Sequence, residues 1–527
     1  MNAASSPAPT AGHRVEGGVS FWEIARSDPT RVAVIDPSGQ ETSYGDLLVR
    51  ADAIAAELLE LGLVRGDTVA VLMQNTPGFF AVQLATSQIG LYLTPLNFHL
   101  GADEVAYILT NSDSLALFVG EDEGLAQIGA GAADSAGIDA RLRFTTGSHP
   151  GFRSIGALLA RHPDPQDRWQ GLTMLYTSGT TGRPKGVKKA LPHVRPEEAL
   201  ASSFSAQHRT HGLMLGPGVH AVVAPLYHAA PNGFALAALH MGRTVVLFDK
   251  WTPEGFLRSV QTYHVTDTHM VPTMFHRLLA LPESVRAQYD LSSLRAVVHA
   301  AAPCPVHEKY AMIEWLGPIL FEYYSATEGG GTAVSAQDWL EHPGTVGRVW
   351  PGAALKVLGP DGNELPPREI GTIYLRNATP FEYHKDPAKT AASRQGDFFT
   401  TGDVGYLDED GWLFISDRRS DLIISGGVNI YPAEIEQVLL EHPAVQDAAV
   451  IGLPDPEWGA AAHAVVELKE ALAPSEELAE KLLEHCRGRL AKYKCPRTIE
   501  FRGLPRTETG KLSRLRLRDA IVDERAH

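Results

Sequence analysis

The chain has 527 residues, 44% of them hydrophobic and 20% charged, with a formal net charge of −16. That length and composition imply a globular protein of more than one domain with a large core, and the acidic balance argues against a nucleic-acid partner or an anionic membrane surface. Cys304, Cys486 and Cys495 are too few for a disulfide framework and lack metal-site spacing, no charged-then-apolar leader opens the chain, and no run of about 18 apolar residues could span a bilayer, so a cytoplasmic location is expected.

Residues 1–16 are small, polar and proline-containing, and are expected to be disordered. Strands and helices then alternate. Strands are predicted at 31–35, 68–73, 92–95 and 115–119. Helices are predicted at 44–63, where Leu47, Ala51, Ile54 and Leu58 share a face, and at 79–89. A short apolar run at 172–175 reads as a strand end. Further strands are expected at 221–227, 244–248, 268–271, 296–299 and 319–323, with a helix at 233–240. Such alternation predicts α/β layers with largely parallel strands. Beyond about residue 345, short strands with Asp-Gly and Asn-Glu turns predict a β-rich subdomain. The charged break DRRSD at 417–421 suggests a hinge near Ser420. After it come a glycine-rich turn, a helix at 432–440, strands at 448–452 and 464–468, a helix at 476–491 and a basic tail. The expected division is a tail at 1–16, an α/β N-terminal domain with its β-rich subdomain at 17–419, and a small mobile α+β C-terminal domain at 420–527.

The chemistry centres on 176–187, YTSGTTGRPKGV. Gly179, Gly182 and Gly186 let the backbone turn and approach a ligand. Thr177, Ser178, Thr180 and Thr181 supply hydroxyl donors, and Arg183 and Lys185 supply positive charge. Successive backbone N–H groups with hydroxyls and a lysine suit a polyphosphate. This is not a Walker loop, because Arg183 and Pro184 intervene before Lys185 and no Ser or Thr follows it. The stretch resembles the phosphate-binding loop of the adenylate-forming superfamily: acyl-CoA synthetases, stand-alone adenylation domains and luciferases. The resemblance runs from about residue 20 to about residue 518.

Further segments carry the same resemblance. In YSATE, it implies that Tyr324 stacks on adenine, Thr327 touches the α-phosphate and Glu328 holds Mg²⁺. Magnesium is commonly bound by one or two carboxylates plus substrate phosphates, so a single glutamate is adequate. Ala301 and Ala302, in VVHAAAPCP, resemble the adenine-side strand. His228, in PLYHAAP, falls at a predicted strand end, where ligands of open α/β sheets sit, and would line the carboxylate pocket. Asp403, in TTGDVGYLDEDGW, resembles the ribose-binding aspartate, and a carboxylate can accept both hydroxyls of a vicinal diol. Arg418 would be a second ribose or phosphate contact. Gly426 and Gly427, in SGGVNIYPAEIE, would wall a pantetheine tunnel. Lys511, in PRTETGK, would bridge carboxylate and phosphate during adenylation. The chain departs from the superfamily pattern at Ser420, where Asp or Lys is usual, and at Val428, where Glu is usual.

The resemblance implies an AMP-forming carboxylate–CoA ligase, using ATP, Mg²⁺ and coenzyme A on a hydrophobic acid. An acyl-AMP ligase loading a carrier protein is an alternative, as is an enzyme that mainly forms the thioester from acyl-AMP made by a partner. A non-catalytic nucleotide-binding module would predict losses at Lys185, Glu328, Asp403 or Lys511, and none is seen. A homodimer is left open. The expected acyl wall is Tyr227, Phe234, Ala300, Tyr323 and Gly329 to Gly331, the three glycines leaving room for a bulky or long acyl group, so a medium, long or polycyclic acid is expected over acetate.

Overall fold

The computed structural model describes residues 20–159, 168–177, 184–198, 216–377, 379–418, 421–425, 428–455, 459–470, 472–506, 512 and 514–526. A large α/β N-terminal domain with mixed sheets precedes a smaller α+β C-terminal domain.

The main sheet has nine strands. Six neighbours run parallel in the order Leu320–Ser325, Ala296–His299, Asp267–Met270, Val219–Val222, Thr244–Leu247 and Val32–Ile35. Antiparallel strands close both edges, Gly331–Ser335 with Arg348–Val349 on one side and Glu41–Ser43 on the other. A second, six-stranded sheet is wholly parallel, in the order Arg153–Ser154, Arg143–Thr145, Ser114–Val119, Thr68–Leu72, Tyr92–Pro95 and Leu172–Thr173. The two share a core. Helix Tyr44–Glu60 starts at Ser43, whose hydroxyl accepts from Asp46 N, and buries Leu47, Ala51, Ile54 and Leu58. The Tyr44 hydroxyl lies 2.8 Å from both Leu239 O and Arg243 O, tying that helix to the main sheet's own connections. An antiparallel β subdomain follows, with Gly371–Arg376, Asp403–Leu407 and Leu413–Arg418 side by side.

In the C-terminal domain, helix Pro432–Leu440 and helix Glu476–Arg487 cover the sheet of Val445–Asp455, Gly459–Leu468 and Thr498–Phe501. The basic tail is a helix, Arg514–Ala526. Its Leu517 and Ile521, four residues apart, bury against Ala449, Ile451 and Val465. That two-residue stripe is too sparse among arginines to stand out as a periodic signal.

Three other expectations change at the strand ends. The strand expected at 221–227 is Val219–Val222, because the chain turns through Pro225 into a helix beginning at Ala229. The apolar run at 172–175 is split: Leu172–Thr173 completes the second sheet, while Leu175–Thr177 joins a separate three-stranded sheet. Tyr324 and Ser325 do not follow their strand but end it, opposite Thr332 and Gly331.

Candidate active site

The carboxyl ends of the parallel strands open into a cleft of about 2380 Å³. Ligands of open α/β sheets bind at such ends. Four adjacent strands deliver candidate residues there: His228 follows Val219–Val222, His269 lies within Asp267–Met270, Ala301 and Ala302 follow Ala296–His299, and Tyr324, Thr327 and Glu328 come from the end of Leu320–Ser325. Lys185, Thr177 and Asp403 also line it.

The stretch expected as one phosphate loop is a hairpin. Thr177 pairs with Lys185, and Tyr176 with Gly186, so Lys185 begins a strand at the hairpin base. Ser178, Gly179, Thr180, Thr181 and Gly182 lie outside the described residues. Lys185 is largely buried, with its Nζ 3.9 Å from Asp386. Strand Lys185–Lys189 pairs on its other side with Phe381–Tyr383, placing Tyr383 opposite Val187.

Tyr383 was not singled out by sequence reasoning. Its hydroxyl donates to Glu328 Oε1 at 2.7 Å, and Glu328 is 6% exposed. Burial and then the Glu328 carboxylate raise the Tyr383 pKa, so the hydroxyl remains a donor. Burial pulls the Lys189 ammonium down, opposed by Glu328. Among the described residues no three His, Cys, Asp or Glu side chains gather to hold a metal. One buried, oriented carboxylate fits a magnesium ion shared with substrate phosphates.

At the expected nucleoside end, Asp403 Oδ2 accepts from the Tyr324 hydroxyl at 2.7 Å and from Thr401 Oγ1 at 2.8 Å. The residue expected to stack on adenine thus holds the residue expected to bind ribose. Arg418 pairs with Asp403 across the adjoining strands through its backbone. Ala301 has φ +76°, a left-handed conformation costly for a side-chain-bearing residue. Such strain concentrates at functional sites. His228 sits at the N-cap position of helix Ala229–His240 without a side-chain capping bond, its ring 4.3 Å from that of Tyr227. Gly426, Gly427, Lys511 and Ser420, near the expected hinge, lie outside the described residues.

Part of the expected acyl wall is corrected. Phe234, Ala300 and Tyr323 line the cleft, but Tyr227 packs behind it, edge-on to Phe98 at 5.2 Å. Gly329 to Gly331 provide no acyl space. They form a tight turn at φ +114°, +69° and +157°, and a Cβ at Gly329 or Gly331 would collide with Asn377 or with the Tyr324 carbonyl. His269, a second residue missed in the sequence, meets Tyr323 here, its Nε2 3.1 Å from the Tyr323 hydroxyl. Both missed residues sit in ordinary strand sequence, THM and FEY, where only tertiary neighbours give them meaning.

The domains also meet at the cleft. His276 Nδ1 donates to Glu308 at 2.5 Å, and its Nε2 approaches the Gln446 side-chain amide of the C-terminal domain. The hydrogen bond to Glu308 raises the His276 pKa, burial opposes, and the Glu308 and Asp447 charges add. A raised native pKa contributes stability that is full below the ordinary histidine value of 6.5 and is lost as pH rises through the native value. The Tm difference between wild type and His276→Asn is therefore expected to shrink between about pH 6 and about pH 9. A difference constant across that range would unlink this histidine from stability.

The sequence profile of the AMP-binding enzyme family matches residues 21–382, and that of the AMP-binding enzyme C-terminal domain matches residues 434–511. The chain belongs to the AMP-binding enzyme family. A feruloyl-CoA synthase from Amycolatopsis sp is 34% identical over 517 residues, covering 94% of this chain and 97% of that one. The fatty acid–[acyl-carrier-protein] ligase ScoC of Streptomyces coeruleorubidus is 32% identical, covering 95% and 96%. The structure of the amide bond synthetase McbA from Marinactinospora thermotolerans superposes with a TM-score of 0.83 at 28% identity, covering 95% and 99%. This member of the family is an ATP- and magnesium-binding, adenylate-forming, acyl-activating enzyme. No helix among its described residues is long and apolar enough to cross a membrane.

Proposed function

We propose that the enzyme converts a hydrophobic carboxylic acid to its acyl-AMP and passes the acyl group to the thiol of coenzyme A. The observation that carries this reading is the convergence, in one cleft, of a phosphate end at Lys185, Thr327 and Glu328, a nucleoside end at Tyr324 and Asp403, and an apolar, aromatic wall at Phe234 and Tyr323. In the first step a carboxylate oxygen bonds to the α-phosphorus and the bond to the β-phosphate bridging oxygen breaks, releasing pyrophosphate. Two anions must approach, so positioning and charge neutralisation supply most of the rate. Lys185 contributes a fixed cation, Thr327 a hydroxyl donor, and Tyr383 holds Glu328 in one orientation. Magnesium, when bound, neutralises phosphate charge. In the second step the thiol sulfur bonds to the acyl carbon, the bond to AMP breaks, and the thiol proton is released.

The names of the similar proteins differ in what they form: a CoA derivative, a fatty acid joined to an acyl carrier protein, and an amide bond. Coenzyme A is favoured by the resemblance of SGGVNIYPAEIE to acyl-CoA synthetases. The deciding experiment supplies an acid panel with ATP, Mg²⁺ and CoA, following pyrophosphate and thioester separately. Pyrophosphate without thioester would remove CoA as acceptor and favour a carrier protein. The two half-reactions also separate by substitution. Lys511→Ala is expected to abolish thioester formation from acid and ATP but spare it from pre-made acyl-AMP and CoA. Gly427→Trp is expected to do the reverse. Equal loss of both steps in each variant would count against alternation of the C-terminal domain between two poses.

A further inference from the structure

Between strand Phe381–Tyr383 and helix Pro387–Ala392 the chain forms a short strap, 384–386, pinned at three points. His384 N donates to Gly186 O of the hairpin at 2.8 Å. Lys385, at φ +59°, donates from its ammonium to Asp113 Oδ1 at 2.7 Å and to Thr110 O at 3.2 Å. Asp386 N donates to Tyr383 O at 3.0 Å. A left-handed lysine is costly, and these contacts hold it in place.

The strap serves the expected phosphate end twice. Tyr383, at its start, orients Glu328, and Asp386, at its end, faces Lys185. The two Asp386 oxygens divide their work. Oδ1 accepts from Lys389 N at 2.9 Å and so caps helix Pro387–Ala392, while Oδ2 lies 3.9 Å from Lys185 Nζ. Among the described residues no other carboxylate pairs with that ammonium. At 3.9 Å the pair is too long for a hydrogen bond, so charge alone holds it. The Lys185 side chain is 16% exposed and that of Asp386 40%, which makes the pair weak enough for a polyphosphate to displace.

We propose that Asp386 is the resting counter-ion of Lys185, a positioning residue that holds the ammonium at the phosphate end, yields it to the triphosphate of ATP and takes it back when pyrophosphate leaves. The inference rests on the acid-activating reading above. Incoming phosphates must draw the ammonium from Asp386, so this carboxylate competes with ATP and with pyrophosphate alike. Asp386→Asn and Asp386→Ser each remove the charge while keeping a residue type that caps helices. Binding of ATP with Mg²⁺, and separately of pyrophosphate with Mg²⁺, is measured by calorimetry on the full-length protein without any acid. Both variants are expected to bind both ligands about two- to fivefold more tightly than wild type, the scale of a weak, partly exposed ion pair. In a Lys185→Ala background the same substitutions are expected to lose most of that effect, because the partner is gone. A defect in the helix cap would instead persist in that background. Unchanged or weaker binding in both Asp386 variants overturns the proposal, and so does tightening that survives undiminished in Lys185→Ala. Either result leaves acid activation standing. A wild-type protein that binds no ATP removes the acid-activating reading, and this role with it.

Discussion

Glu328→Ala is expected to slow acyl-AMP formation by on the order of 10²-fold or more, the scale of one lost element of transition-state charge stabilisation. The residue is 6% exposed and its carboxylate is held by Tyr383 at 2.7 Å, so it is oriented before any nucleotide arrives. Lys185→Ala is expected to fall in the same range, because it removes the fixed cation at the hairpin base. Tyr383→Phe is the graded control. A hydrogen bond to a charged group is worth about 1.5–3 kcal/mol, so this variant should lose about 10- to 10²-fold. The two substitutions differ in their response to magnesium. Raising Mg²⁺ should recover part of the Tyr383→Phe loss by mass action, since the ligand remains, but not the Glu328→Ala loss. Pyrophosphate release as a function of Mg²⁺ concentration makes the measurement. Wild-type rates in Glu328→Ala would remove this carboxylate from the site.

Asp403→Ala is expected to raise the KM for ATP by about 10- to 10²-fold, from loss of charge-assisted hydrogen bonds to the ribose diol. Asp403 also receives the Tyr324 hydroxyl, so the substitution frees the side chain expected to stack on adenine. The two effects separate with 2′,3′-dideoxy-ATP. Wild type should lose affinity for this analogue, whereas Asp403→Ala should treat it and ATP nearly alike, because the diol contact is already gone. Tyr324→Phe should keep wild-type discrimination between the two nucleotides while weakening both. An Asp403→Ala enzyme that still distinguishes them by the wild-type factor would show that another group reads the diol.

The sequence by itself determined the class of fold and singled out Lys185, Thr327, Glu328 and Asp403, which line one cleft. Those features are written locally. Alternating apolar runs and helical faces announce parallel α/β layers, and helix Tyr44–Glu60 and strand Ala296–His299 lie close to where periodicity and β-branched content put them. Lys185, Thr327, Glu328 and Asp403 sit in short ordered clusters of glycine, hydroxyl and charge, so they stood out as candidates without coordinates. Only the tertiary structure decided which residues face each other across strands. Tyr383 supports Glu328 because its strand pairs with that of Lys185, a contact spanning 55 residues from Tyr383 to Glu328. His269 reaches Tyr323 across the intervening strand Ala296–His299, which is followed by the small residue Ala300. The glycines after Glu328 read in sequence as open acyl space, yet they serve a turn closed by Asn377 and the Tyr324 carbonyl. Packing of this kind depends on side chains brought from distant segments to within a few ångströms, and no local pattern of residue types encodes that distance.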